Sequence, residues 1–171
     1  MIETERVEFK AILNDKFEKE IVAFLNSSRG GELYIGMNDK VKPIGIENID
    51  LTERQIKDRI RNNISPDTIG LFEIVTSRKK DYIQIIIASG NQKPYYIKKY
   101  GRCPEGCYIR IGSSAKKRSE ERIFSLFKKR EKRTLTNIES DNQNLTFNYL
   151  RNRYTEAGFD VGDNFEYQLE L

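Results

Sequence analysis

Histidine is absent from all 171 residues. A Ser-His-Asp triad, a Cys-His pair and a His-ligated zinc site are therefore impossible within one chain. Any catalysis must rest on carboxylates, lysine, tyrosine, cysteine or a carboxylate-bound metal. Cysteine is scarce, with only Cys103 and Cys107. Two thiolates without further ligands cannot close a zinc site. In Arg-Cys-Pro-Glu-Gly-Cys they read as ordinary thiols in a turn and a strand. No apolar run approaches the length of a membrane span. The N-terminus opens on Glu3 and Glu5 rather than on a basic and then apolar signal. A cytoplasmic protein without a membrane partner is expected. No Gly-x-x-x-x-Gly-Lys-Ser/Thr occurs, so a P-loop is excluded.

What the chain does have is charge, unevenly placed. Residues 1–77 carry −3 and residues 134–171 carry −5, whereas residues 78–133 hold 17 basic against 5 acidic side chains, a balance of +12. A basic middle third between acidic ends is the asymmetry expected of a phosphate-binding face.

The hydrophobic pattern orders the elements. Arg6 to Ala11 alternates as a short strand, with Val7 and Phe9 on one face and Glu8 and Lys10 on the other. Asn14 or Asp15 caps a helix to Ser27 whose apolar stripe is Phe17, Ile21, Phe24 and Leu25. Gly30-Gly31 ends that turn, and Glu32 to Met37 is a strand. Pro43 to Ile46 reads as a short returning strand. Thr52 caps a helix through Ile64, stopped at Ser65-Pro66. Leu71 to Ser77 and Tyr82 to Ala88 form a hairpin, the second strand β-branched and central. Pro94 to Lys98 is an edge piece, Cys107 to Gly112 a further strand, and Ser119 caps a last helix. The predicted fold is α+β, a two-layer sandwich of a mixed four- to six-stranded sheet with two main helices. Residues 1–133 form the main domain. Residues 134–144 read as a linker, and Leu145 to Ala157 as a helix inside an acidic extension that resembles the start of a downstream part.

Three segments can carry chemistry. The glycine pair follows a helix, the reverse of the order that aims a helix N-terminus at phosphate, so it reads as a cap before a buried strand. Glu3, Glu5 and Glu8 lie near the first strand and Asp39 ends the second. Two or three converging carboxylates can hold Mg²⁺ or Mn²⁺. The competing reading is ion pairing with Lys10, Arg6 or the basic stretch. That stretch carries Lys98, Lys99, Arg102, Arg110, Lys116, Lys117 and Arg118, interleaved with Tyr95, Tyr96, Tyr100 and Tyr108. Cations neutralise phosphates and tyrosines stack on unpaired bases. Arg110 alternates with Ile109 and Ile111 and is expected to project from the opposite face. Gly112-Ser113-Ser114 adds N–H and hydroxyl donors.

Four pieces in this order resemble the Schlafen AlbA_2 family. They are Glu-Thr-Glu-Arg-Val-Glu-Phe-Lys from Glu3 to Lys10, Phe24 to Asp39, Pro94-Tyr95, and Tyr-Ile-Arg-Ile-Gly-Ser-Ser from Tyr108 to Ser114. The resemblance spans about residues 1–130. It implies a DNA-binding module of bacterial transcriptional regulators, often followed by a winged-helix part. Animal Schlafens that cut RNA use three acidic residues, which the pattern places on Glu3, Glu8 and Asp39. They also pair two copies of the unit, so a chain with one copy is expected to form a homodimer.

The leading expectation is a nucleic-acid-binding module, DNA ahead of RNA, without a cofactor. Arg110, Ser113, Ser114, Lys116, Lys117 and Arg118 contact phosphates in this reading, Lys98, Lys99 and Arg102 extend the basic face, and Tyr95, Tyr96 and Tyr100 stack or line the groove. An enzyme is the weaker reading: a divalent-metal endoribonuclease on Glu3, Glu8 and Asp39. A third is a protein-interaction domain whose basic face meets an acidic partner or the acidic tail.

Overall fold

The computed structural model describes residues 3–38, 40–79, 81–131, 148–159 and 161–162. In chain order the elements are β1 (Val7–Lys10), α1 (Phe17–Asn26), β2 (Gly31–Ile35), α2 (Ile49–Asn63), β3 (Ile64–Ser65), β4 (Phe72–Ser77), β5 (Tyr82–Ile87), β6 (Tyr96–Ile97), β7 (Tyr108–Ile111), β8 (Ser114–Lys117), α3 (Glu120–Glu131) and α4 (Asn148–Glu156). The chain divides into two compact units, residues 1–133 and 134–171.

Sheet order in the first unit is β1-β2-β5-β4. β1 and β2 run parallel, and β5 is antiparallel to both of its neighbours. The sheet is thus mixed, and the isoleucine-rich β5 is interior, as its composition predicts. Ile83, Ile85 and Ile87 are buried on one face with Leu33 and Ile35, where α1 and α2 pack. This is the expected two-layer α+β sandwich. The opposite sheet face carries a smaller cluster of Phe9, Tyr34 and Met37.

Helix α1 departs from a one-striped amphipathic helix. Nine of its ten residues are buried, Glu18, Glu20 and Asn26 among them. The cause is packing on more than one side: α1 lies against the main sheet and also against β6, β7 and β8. Its capping differs from expectation as well. Lys16 is the N-cap and makes no side-chain bond, while Asn14 closes the preceding turn by accepting the Lys16 N–H at 2.9 Å. Helix α2 begins earlier than predicted, because Asn48 Oδ1 accepts the Leu51 N–H at 2.9 Å and so takes the cap from Thr52. Pro43 forms a single bridge with Met37 rather than a strand.

The glycine pair is a packing device. A Cβ on Gly30, whose φ is +67°, would lie 2.0 Å from the Ile87 carbonyl oxygen, and one on Gly31 2.3 Å from the Phe24 ring. Only glycine lets α1 return so close to the sheet. In the second unit, α4 ends at Glu156 and Gly158 follows with φ +84°, and the Tyr154 and Phe159 rings stand 5.6 Å apart. The predicted linker 134–144 lies outside the described residues. Among those described, no helix is long and apolar enough to cross a membrane.

Candidate nucleic-acid interface

Cations of the basic middle segment separate into an inward and an outward set. Arg110 sets the first. It sits on β7, where the side chains alternate, and its side chain is 0% exposed. Nη1 donates to Glu8 at 2.8 Å and to Glu20 at 3.0 Å. Nη2 donates to the Thr4 carbonyl at 2.8 Å, and the guanidinium stands 4.8 Å from the Phe24 ring centroid. The expectation that Arg110 contacts phosphate is corrected: β7 turns Arg110 toward α1 and β1 and leaves Ile111 62% exposed. Two carboxylates inside the fold reverse the usual polar-out order.

Glu8 and Lys10 occupy the face of β1 that meets this cluster. Glu8 accepts from Lys10 Nζ as well as from Arg110. Glu20 is pushed up from the usual carboxyl value by burial and by the nearby Glu8 charge. Burial would lower Lys10, but the hydrogen bond to Glu8 raises it. Glu3 accepts the Phe9 N–H at 3.3 Å. Among the described residues no three His, Cys, Asp or Glu side chains form a group able to hold a metal ion. Asp39 lies outside the described residues. The carboxylate brought to Glu8 is Glu20, which the sequence reading missed.

Tyr95 is also corrected. It is 0% exposed and belongs to the main core, so it is closed to stacking on bases. Asn26 holds its backbone: Nδ2 donates to the Tyr95 and Tyr108 carbonyls at 2.9 Å each, and Oδ1 accepts the Tyr95 N–H at 2.8 Å. This one amide ties α1 to two later segments. Tyr96 is half-buried in β6, and Tyr100 is 49% exposed.

Arg118 is half-buried and donates to the Asn26 carbonyl at 3.2 Å. Lys93 donates to the adjoining Ser27 carbonyl at 2.6 Å and to Ser89 Oγ at 2.8 Å. Both cations therefore sit at the C-terminal end of α1, where the helix dipole favours positive charge. No pattern in the sequence singled out Lys93.

Of the cations singled out in the sequence, the outward set comprises Lys98, Lys99, Arg102, Lys116 and Lys117, all exposed. Lys117 meets Glu105 at 3.0 Å, an exposed pair of little energetic weight. Lys99 lies 5.5 Å from the Tyr100 ring centroid and Arg102 3.8 Å from that of Phe127. Ser113 and Ser114 are exposed at the β7–β8 turn, which Gly112 makes with φ +58°. Strand β8, which carries Lys116 and Lys117, was not anticipated from the sequence. Its signal was Ala115, a small residue that pairs with Arg110 and is buried between Ser114 and Lys116. The thiols are free, and burial pushes that of Cys107 up to about 11, which leaves it unreactive near neutral pH.

Comparison with known proteins adds the following. The N-terminal domain of a RecG-related protein from Nitrosomonas europaea, solved by NMR, is similar with 23% identity over 64% of this chain and 78% of that one, at a TM-score of 0.46. No curated protein matches the chain. The Schlafen AlbA_2 family model matches residues 3–120, which include the buried Glu8–Arg110 pair and most of the basic segment. By that match the chain belongs to the Schlafen AlbA_2 family.

Proposed function

We propose that this domain binds nucleic acid, DNA in preference to RNA, as a module of a bacterial-type transcriptional regulator. The observation that carries the reading is the outward set. Lys98, Lys99, Arg102 and Lys116 are exposed, and none meets a carboxylate among the described residues. Their segments are neighbours. The Ile97 N–H donates to the Gly106 carbonyl at 3.0 Å, and the Arg118 N–H donates to the Cys107 carbonyl at 2.9 Å. Lys117 reaches Glu105 across the same gap. Ser113 and Ser114 place hydroxyl and amide donors at the hairpin end of this surface, and Tyr100 offers an exposed ring. Cations left without internal partners are those a polyanion can engage, with release of its counterions.

The test is fluorescence anisotropy of labelled duplex DNA, single-stranded DNA and RNA at several salt concentrations. Affinity is expected to fall with salt at a slope of about −0.9 per phosphate neutralised on duplex DNA. Absence of binding at low salt, or affinity indifferent to salt, overturns the proposal.

A further inference from the structure

A cleft of about 740 Å³ separates the 90–93 loop from the end of α3. Lys93 lines it from one side and Lys129 and Arg130 from the other, with Asn91, Gln92 and Leu126 between them. Among the described residues the lining holds three cations and no carboxylate. Its volume is within the range of small-ligand sites, roughly 300–1,000 Å³.

The charges are crowded, and none meets a carboxylate among the described residues. Lys93 and Arg118 stand on adjoining carbonyls at the end of α1, those of Ser27 and Asn26. A helix C-terminus supplies only about half a negative charge, so two cations there leave a positive excess. Burial lowers the Lys93 pKa and the Arg118 charge lowers it further. Arg118 is lowered by burial and then by Arg122. The Arg118 Nε is buried with no hydrogen-bond partner. Lys93 spends two of its ammonium hydrogens on Ser27 and Ser89, which leaves one for the cleft.

The loop that carries Lys93 is fixed. The Gly90 N–H donates to the Leu25 carbonyl at 2.8 Å. A Cβ on Gly90 would lie 2.2 Å from the Tyr95 ring. The Tyr95 hydroxyl accepts the Gln92 N–H at 3.4 Å and donates to Asn91 Oδ1 at 3.3 Å. A site held this way needs little ordering when a ligand arrives.

We infer that this cleft binds a phosphomonoester, carried either by the end of a nucleic-acid strand or by a free mononucleotide. A terminal phosphate carries about −1.5 to −2 charges and three acceptor oxygens near neutral pH. A backbone diester carries one charge. The dianion matches Lys93, Lys129 and Arg130 acting together. The Asn91 and Gln92 amides and the Leu126 side chain line the same cleft, where they can meet a base and sugar. The strand-end form rests on the nucleic-acid reading above, whereas the mononucleotide form does not.

The experiment uses the full chain and one labelled single strand, prepared with a terminal phosphate and with a terminal hydroxyl. The phosphate-ended strand is expected to bind about tenfold tighter, the equivalent of one charge-assisted hydrogen bond. The preference is expected to vanish in a Lys129→Gln, Arg130→Gln double variant, whose changes lie on the surface of α3. Lys93→Met should also abolish it, but this change removes a cap from α1, so the double variant is decisive. Uridine monophosphate as competitor separates the two sources. If it erases the preference, the free nucleotide is a ligand; if it does not, the strand end is. Both results keep the cleft. Strands that bind equally whatever their end overturn the cleft and leave the nucleic-acid reading standing. Uridine monophosphate that binds through Arg130 while no strand binds has the reverse effect.

Discussion

Arg110 and Lys116 lie six positions apart on the two strands of one hairpin, yet they do unrelated work. The Arg110 side chain is inaccessible, with its charge divided between Glu8 and Glu20. Lys116 is exposed and meets no carboxylate among the described residues. Sequence charge treats the two alike. The fold separates them according to what lies opposite: β1 and α1 for one, solvent for the other. A basic stretch is therefore an upper bound on a phosphate-binding surface, and subtracting the inward cations gives its usable part.

The most severe way to break this contrast is Arg110→Met. Glu8 and Glu20 would be left buried, with Lys10 as the remaining ion-pair partner of Glu8 and Lys10 and Lys19 as the nearby cations of Glu20. Removing one member of a buried charge cluster costs about 3–5 kcal/mol. Urea denaturation followed by circular dichroism is expected to show a loss of that size. Should the variant keep the parent's midpoint and lose nucleic-acid affinity instead, Arg110 belongs with the outward set and the contrast fails.

Much of the frame could be read from the chain. The isoleucines of β5 marked an interior strand, and four ordered segments pointed to the family that the match over residues 3–120 then showed. Alternation along β1 correctly divided Val7 and Phe9 from Glu8 and Lys10. It could not tell which face turns inward. Phe9 joins Tyr34 and Met37 on the far side of the sheet, while Glu8 faces α1. That choice is made by Arg110, which is 102 residues from Glu8 and 90 from Glu20. Local periodicity carries no information over such separations. Tyr95 failed for a related reason. Its neighbours Lys93 and Tyr96 suggest a surface, but Asn26, 69 residues away, draws its backbone into the core.

Two glutamates of α1 sharpen the description of the inward set. Burial would raise Glu18, but hydrogen bonds from Arg59 and Asn63 bring it below the ordinary carboxyl value of 4.5. Its contribution is present above that value and lost as pH falls through the lowered one. Glu20 is raised, by burial first and by Glu8 next. Its contribution is present below the ordinary value and lost as pH rises through the raised one. The two residues therefore give opposite slopes. Denaturation across the acid range is expected to show Glu18→Gln flattening the loss of stability below pH 4.5. Relative to the parent, Glu20→Gln should be better tolerated at neutral pH than in acid. Parallel slopes for the two variants would mean that the Arg59 and Arg110 sides of the first turn of α1 are not electrostatically distinct.

The smallest expected change in stability comes from the outward set and tests the other half of the contrast. Lys98, Lys99 and Lys116 lack carboxylate partners among the described residues, and nothing in the core rests on them. Lys98 makes one long contact, 3.4 Å to the Arg61 carbonyl, and Lys99 lies beside the Tyr100 ring. Changing all three to alanine should shift stability by no more than about 0.5 kcal/mol per site. The salt dependence of DNA affinity should respond instead, its slope shrinking by about one for each phosphate contact removed. A triple variant that unfolds easily would show that these lysines stabilise the chain. One that folds and binds with the parent's slope would move the interface to another face of the domain.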